Sequence, residues 1–292
     1  MIKVGIAGIG VIGGALMQAC MVKKGIFVTP HDKFKGMNNL QGLLGNDIVF
    51  LCLPTPTVEK EQDLTALDEV LSFLSKANFK GSVLIRSTVT PGTTQTLNTT
   101  YTNLALGHCP EFLTAATPFE DLIKQPAVLV GSEHKSVQQA AMSFWSTFDK
   151  KVPIVIFNTP TESEVAKYVH NILLATKVAV LNEIYDVCQV IGTNYDSAVA
   201  GARAIGQIGN THLKVPGPDG KTGFGGMCFV KDTAAFSGFA QSLGLQPTVL
   251  GAVIGANKKR RPEAYDGREA TGYNSQKATQ NGAFCESQQI QL

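Results

Sequence analysis

A six-residue stretch near the amino terminus restricts the fold more than any other. Lys3 to Ala7 is a short β-rich apolar run that leads straight into Gly8-Ile9-Gly10-Val11-Ile12-Gly13, and Gly14 to Lys23 then has helical character. G-x-G-x-x-G between a strand and a helix is the pattern of a dinucleotide-binding turn. The first glycine makes the tight turn, the second admits a pyrophosphate, and the third lets helix pack on strand. Val11 and Ile12 lie in this turn, and the N-terminus of the helix that follows presents N–H donors and a positive dipole end to phosphate. A second apolar strand, Ile26 to Thr29, ends just before Asp32, which lies 24 residues after Gly8. An acid at that spacing binds a ribose 2′-OH and favours NAD over NADP, whereas the adjacent Lys33 pulls the other way. The bland alternative for Asp32 is an ordinary turn acid.

The elements that follow alternate. Asp47 to Leu53 has a buried-strand pattern and ends in Pro54-Thr55-Pro56-Thr57. Leu64 to Ala77 has the pattern of a crossover helix, and Ser82 to Ile85 that of a strand ending in Arg86-Ser87-Thr88-Val89. A weaker helix from Thr93 to Thr99, a strand from Leu104 to Gly107, a strand from Ala127 to Gly131, a helix from Lys135 to Phe148 and a strand from Pro153 to Phe157 complete the series. Strand–helix alternation of this kind predicts a Rossmann-type, doubly wound parallel α/β sheet over residues 1–158. Turns at the carboxyl ends of its strands are where ligand contacts are expected.

Strand signals stop at Thr161. Thr161-Glu162-Ser163-Glu164 has the form of a capping box, with Thr161 as N-cap. Val165, Val169, Ile172, Leu173, Val180 and Ile184 then recur at helical spacing until Gly192. A helix this long and apolar is expected to pack against a partner domain and another subunit. Lys167 and Asn171 are four residues apart and share one face. Further helices are expected over 196–204, 232–243 and 247–257, with a Gly/Pro-rich loop from Ile205 to Thr222. Residues 159–261 are therefore expected to form an all-helical domain built on a long central helix. Residues 262–292 are polar and aperiodic, and are expected to be a disordered or loosely attached tail.

Composition narrows the partners. The net charge is +2, with 44% hydrophobic and 16% charged residues, so neither nucleic acid nor a membrane surface is implied. The run Lys258 to Arg261 is short enough to be a solvated helix end. No apolar stretch reaches membrane-spanning length, and the N-terminus enters a strand at once rather than forming a signal peptide. Cysteines at 20, 52, 109, 188, 228 and 285 have no metal-ligand spacing and no compact disulfide pattern. A reducing, cytoplasmic setting and no metal are expected.

Gly223-Phe224-Gly225-Gly226-Met227-Cys228-Phe229-Val230-Lys231-Asp232 is the second informative stretch. Glycines let backbone approach a ligand, and a thiol near a cation and a carboxylate is a candidate nucleophile. Alone, the stretch favours the bland reading, a glycine-rich turn with an ordinary buried cysteine. In order along the chain, Gly8–Gly13, Leu53 to Thr57, Ser87-Thr88-Val89, Pro110-Glu111-Phe112-Leu113, Glu164 with Lys167 and Asn171, Asn182-Glu183 and Gly223–Asp232 resemble the UDP-glucose/GDP-mannose dehydrogenase family of nucleotide-sugar 6-dehydrogenases. Gly209 to Gly217 is similar to its substrate-side loop.

That resemblance implies an NAD-dependent, four-electron oxidation of a sugar C6 alcohol to a uronate, in a homodimer or larger assembly. It implies Cys228 as the covalent nucleophile, Lys167 and Asn171 as oxyanion donors, Asp232 and Thr88 as managers of a water and its proton, and Glu111 as the base for thioester hydrolysis. Thr55, Thr88 and Lys231 are implied near NAD. Phe112, Leu113, His212, Lys214 and Gly225 join Glu111, Lys167 and Asn171 on the substrate side. There are departures. Ala115 stands where the family has a second Glu, Gln207 where an Arg is usual, and Val230 where Pro is usual. The short segment from Asp32 to Asp47 implies one strand fewer than usual, and the chain stops about where a third, nucleotide-binding domain would begin. Two alternatives follow. One is a two-electron β-hydroxyacid dehydrogenase, which has no need of Cys228; the other is a non-catalytic binding relative.

Overall fold

The computed structural model describes residues 1–58, 61–149 and 151–266. The chain divides into two compact units, Met1–Tyr168 and Val169–Leu292. The division falls within one helix, α6, introduced below.

The first unit is built on strands β1 (Ile2–Ala7), β2 (Ile26–His31), β3 (Ile48–Leu51), β6 (Ser82–Ile85), β7 (Ala105–His108), β8 (Val128–Gly131) and β9 (Ile154–Phe157), with a small hairpin of β4 (Thr57–Val58) and β5 (Glu61–Gln62). The sheet order is β2-β1-β3-β6-β7-β8-β9. Its pairs are parallel except β7 with β8, which run antiparallel at His108↔Gly131. The expected parallel sheet is thus mixed near one edge. Between Asp32 and Asp47 the chain makes a single bridge, Asp32↔Met37, and a 3-10 turn, Gln41–Gly45, in place of a sheet strand. The sheet nevertheless has seven strands, where one fewer than the usual six was expected.

Strands β3 and β6 are buried along their whole length, as parallel strands covered on both faces must be. Side chains alternate between two cores. Val4, Ile6, Ile48, Phe50 and Leu84 meet Leu16 and Ala19 of α1 (Val11–Met21) and Val137, Ala141 and Phe144 of α5 (Lys135–Trp145). Val49, Leu51, Val83 and Ile85 meet Leu67, Val70, Leu71 and Leu74 of α2 (Thr65–Lys76) and Leu97 of α3 (Thr93–Thr100). The 67/70/71/74 spacing is one helix face, and each such buried leucine contributes roughly 1.5–3 kcal/mol. A short helix, α4 (Pro118–Ile123), was not expected; its Pro118 and Leu122 lie in a segment with too little periodicity to mark it.

Helix α6 spans Pro160–Val190. Its capping box is Thr159 with Glu162, not Thr161 with Glu164. The Thr159 N–H donates to Glu162 Oε2 at 3.0 Å, and the Glu162 N–H donates to Thr159 Oγ1 at 3.4 Å. Glu164 is fully buried instead and caps a different helix, α3: its carboxylate accepts from the Gly92 N–H at 2.6 Å and the Thr94 N–H at 2.8 Å.

The second unit is helical: the rest of α6, then α7 (Tyr195–Ala204), α8 (Met227–Ser242) and α9 (Thr248–Arg260). Gly192, at φ 69°, lets the chain turn after α6. Asn194 caps α7 by accepting from the Ser197 N–H at 2.8 Å. One core joins Ala175, Ala179, Phe224 and Val253 with Phe229 and Val230; another joins Cys188, Tyr195 and Val215.

Two expectations need correction. α8 begins five residues earlier than expected, so Cys228, Lys231 and Asp232 lie on its first turns rather than in a loop. The beginning of the polar tail is also attached. Pro262–Ala264 forms a 3-10 turn, Arg261 pairs with Asp219 at 2.6 Å, Glu263 pairs with Lys221 at 3.0 Å, and the Tyr265 hydroxyl lies 3.2 Å from Asn257 Nδ2. Residues 267–292, the rest of that tail, lie outside the described residues. No helix among the described residues is long and apolar enough to cross a membrane.

Candidate active site

In the first unit the glycine turn is built by close approach. Gly8 has φ +88°, and a Cβ there would lie 2.4 Å from the Cys52 carbonyl oxygen; a Cβ on Gly13 would lie 1.9 Å from that of Gly8. A Cβ on Gly10 would meet nothing within 4 Å. The first and third glycines therefore serve the protein's own packing, and the second leaves open space. Among the described residues no side chain caps α1, so its opening N–H groups, at Val11 and Ile12, remain available to a ligand. A dinucleotide pyrophosphate fits such a cradle.

Asp32 is anchored to the same turn: Oδ2 accepts from the Ile9 N–H at 2.8 Å and Oδ1 from the Phe34 N–H at 2.9 Å. A carboxylate has about four acceptor sites, so capacity remains for a ribose hydroxyl. Lys35 donates to the Ile9 carbonyl at 2.6 Å, and Lys33 is drawn away to Glu69 at 2.7 Å. The loops after β3 and β6 are joined. Thr55 Oγ1 donates to the Thr88 carbonyl at 2.8 Å, and the Gln62 amide clamps the Thr88 carbonyl and the Thr90 N–H at 3.1 and 2.7 Å.

Glu111 and Lys167 form a buried ion pair, 3.1 Å apart, with each side chain 4% exposed. Lys167 also donates to the Glu111 carbonyl and sits 5.0 Å from the Phe112 ring centroid. The other carboxylate oxygen accepts from the Leu113 N–H at 2.7 Å. Burial works to raise the Glu111 pKa, but the Lys167 charge and the Leu113 N–H overcome it and hold the carboxyl below its usual range. Glu111 is thus ionised. His108 is the opposite case: burial pushes its pKa down to about 3, and its Nδ1 lies 2.8 Å from Ser163 Oγ, so it is a neutral core residue and no acid–base group.

In the second unit Asn171 Nδ2 donates to Asp232 Oδ2 at 2.6 Å, and Lys231 Nζ pairs with Asp232 Oδ1 at 2.6 Å. Asn171 and Asp232 are 3% and 1% exposed. Cys228 is exposed on the first turn of α8, four residues before Asp232 and hence on the same helix face. His212 stacks against Phe229 with centroids 5.4 Å apart, while Lys214 is exposed and Gly225 partly buried. Lys167 and Asn171 lie one turn apart on α6, about 6 Å along its axis.

Several polar residues escaped sequence reasoning. Gln62, His170 and Asn257 all hold loops or site residues through contacts distant in sequence or masked by unremarkable residue types. Arg86 is 1% exposed, with Nε and Nη2 unpartnered and its guanidinium 5.2 Å from the Trp145 ring. A polar residue directly after a buried strand was its one signal.

Comparison with known proteins gives the family of both units. Residues 32–149 match the NAD binding domain, and residues 161–259 the central domain, of the UDP-glucose/GDP-mannose dehydrogenase family. A UDP-glucose 6-dehydrogenase of Rickettsia prowazekii is 30% identical over 73% of this chain and 50% of its own length. One from Haloferax volcanii is 26% identical over 77% and 55%. The chain spans about half the length of the curated relatives it matches. A UDP-glucose dehydrogenase structure from Pyrobaculum islandicum superposes with a TM-score of 0.76, at 22% identity over 89% of this chain and 68% of that one. A 3-hydroxyisobutyrate dehydrogenase of Mycobacterium tuberculosis shares the fold, with a TM-score of 0.71 at 16% identity over 91% of this chain and 96% of that one.

Proposed function

The chain belongs to the UDP-glucose/GDP-mannose dehydrogenase family, and from that premise we propose that it oxidises the C6 alcohol of a nucleotide sugar to a uronate in two steps, with Cys228 as covalent nucleophile. The observation that carries this reading is the first turns of α8. An exposed thiol at Cys228 lies one turn from Asp232, whose carboxylate is tied to Asn171 and Lys231. A two-electron oxidation gives Cys228 no task.

Gly8, Gly10, Val11, Ile12, Gly13 and Asp32 would hold NAD, with Thr55, Thr88 and Lys231 nearby, and the bound cofactor would supply the hydride acceptor for each oxidation. In the first oxidation Asp232 and Thr88 position a water that takes the hydroxyl proton, and the alcohol becomes an aldehyde. Cys228 Sγ then adds to the aldehyde carbon, and the carbonyl oxygen takes up a proton. Loss of that proton and the second hydride converts the thiohemiacetal to a thioester. Lys167 and Asn171 donate to the oxygen that carries negative charge in these steps. Glu111, ionised as its surroundings dictate, accepts a proton from the water that attacks the thioester. The C–S bond breaks, the uronate leaves, and Cys228 recovers its thiol. Phe112, Leu113, His212, Lys214 and Gly225 line the sugar-nucleotide side.

The dipole at a helix N-terminus favours negative charge, which suits a thiolate, and a reducing, cytoplasmic compartment keeps the thiol available. Exposed Val169, Leu173, Val180, Ile184 and Val187 recur along α6 and support a homodimer formed on this helix. The Rickettsia and Haloferax relatives are named UDP-glucose 6-dehydrogenases, so UDP-glucose heads the substrates to be tried. NADH production against a panel of UDP- and GDP-sugars tests the proposal. Turnover of one of them is expected, and none with any of them would remove it.

A further inference from the structure

We propose that Asn257, backed by Asn182, is a positioning residue for Cys228. Its side chain is 1% exposed, on the last turns of α9. Oδ1 accepts from the Phe224 N–H at 2.7 Å, and Nδ2 donates to the Phe224 carbonyl at 2.7 Å. The amide therefore pairs with both backbone groups of one residue of the glycine loop, as a neighbouring strand would. Phe224 is itself buried, so both backbone groups lack access to water and need these partners. Asn182 on α6, 2% exposed, takes the adjoining donor, with the Gly223 N–H 3.0 Å from its Oδ1.

This clamp explains why residue 223 is glycine. Its φ is +73°, and a Cβ there would lie 2.5 Å from Asn257 Oδ1. Two residues beyond the clamped residue, Gly226 at φ +72° caps α8, and Cys228 is the second residue of that helix. The entry of the chain into α8, and with it the placement of the thiol in the N-terminal dipole field, is fixed by the backbone conformation of Phe224. Asn257 touches no reacting atom; it acts through the loop. Its own position is held by the Tyr265 hydroxyl, 3.2 Å from Nδ2.

This inference rests on Cys228 being the reactive thiol. Its test is Asn257→Asp, which keeps the acceptor but sets a second oxygen against the Phe224 carbonyl. The full-length chain is alkylated with iodoacetamide as a function of pH, and the Cys228 peptide is quantified by mass spectrometry. NADH affinity is measured by calorimetry and the melting temperature is recorded. Alkylation of Cys228 is expected to slow about tenfold, the factor corresponding to one net hydrogen bond of ~1.4 kcal/mol, with NADH affinity unchanged. A folded variant that alkylates at the wild-type rate overturns the proposal even if turnover falls, and leaves the assigned reaction standing. A wild-type Cys228 no more reactive than glutathione overturns both. Should Asn257→Asp fail to fold, Asn182→Ser, which deletes the Gly223 contact, carries the same comparison with the same expected slowing.

Discussion

Replacing Lys167 with methionine strands the Glu111 carboxylate in a site where its side chain is 4% exposed. Two unit charges 3.1 Å apart attract by 332/(20 × 3.1), or about 5 kcal/mol, at an effective dielectric of 20. Loss of one partner from a buried pair typically costs about 3–5 kcal/mol, since the remaining charge stays desolvated. The readout is built in. Trp145 is the chain's single tryptophan, 2% exposed in the core of the first unit, so its fluorescence during urea unfolding reports the unit that holds the pair. Near pH 8, Lys167→Met is expected to lose about 3–5 kcal/mol, and adding Glu111→Gln should restore most of it, because no buried charge remains.

The pH dependence separates this from a simple packing defect. In the wild type the Glu111 pKa is lowered in the folded state, so its contribution is present above the ordinary glutamate value of 4.5 and is lost as pH falls through the folded pKa. In Lys167→Met burial acts without its main counterweight and raises that pKa. The deficit against wild type should then shrink as pH drops from about 8 to about 5, where the buried carboxyl takes up a proton. A variant within about 1 kcal/mol of wild type near pH 8, or a deficit that does not narrow on acidification, refutes the reasoning.

Two further tests address other parts of the molecule. Gly13→Ala places a methyl 1.9 Å from the Gly8 carbonyl oxygen and should cost both stability, by roughly 1–3 kcal/mol, and NADH affinity; Gly10→Ala meets no protein atom and should reduce NADH affinity in calorimetry while leaving the unfolding curve unchanged. Light scattering should give a mass near twice 31.1 kDa, and Leu173→Asp, at a position 63% exposed in the single chain, should return it to the monomer value; a wild-type monomer would contradict the role given to α6.

Local chemistry was readable from sequence, and contacts distant in the chain were not. The glycine turn was legible because strand, glycines and helix are consecutive and each glycine has a local steric reason. The capping box was displaced by two residues because Thr159-x-x-Glu162 and Thr161-x-x-Glu164 fit the same pattern; only the fold shows that Glu164 is occupied by Gly92 and Thr94, some seventy positions away. The start of α8 was placed too late because Gly223, Gly225 and Gly226 obscure the helical periodicity of the residues after them. Lys167 and Asn171 were found as a helix pair, but their partners Glu111 and Asp232 became visible only when the chain folded. Asn257 carried no signal at all, since an asparagine near a helix end is ordinary until the residue it clamps is known.

The central claim is that one substrate is oxidised twice, the second time while covalently held on Cys228. The direct measurement is the number of NADH formed per nucleotide sugar consumed, for wild type and for Cys228→Ser, with calorimetry confirming that both bind NADH. Two NADH and a uronate are expected from the wild type, and no uronate from the variant. One NADH per sugar in the wild type, or uronate formed by Cys228→Ser at the wild-type rate, would contradict it.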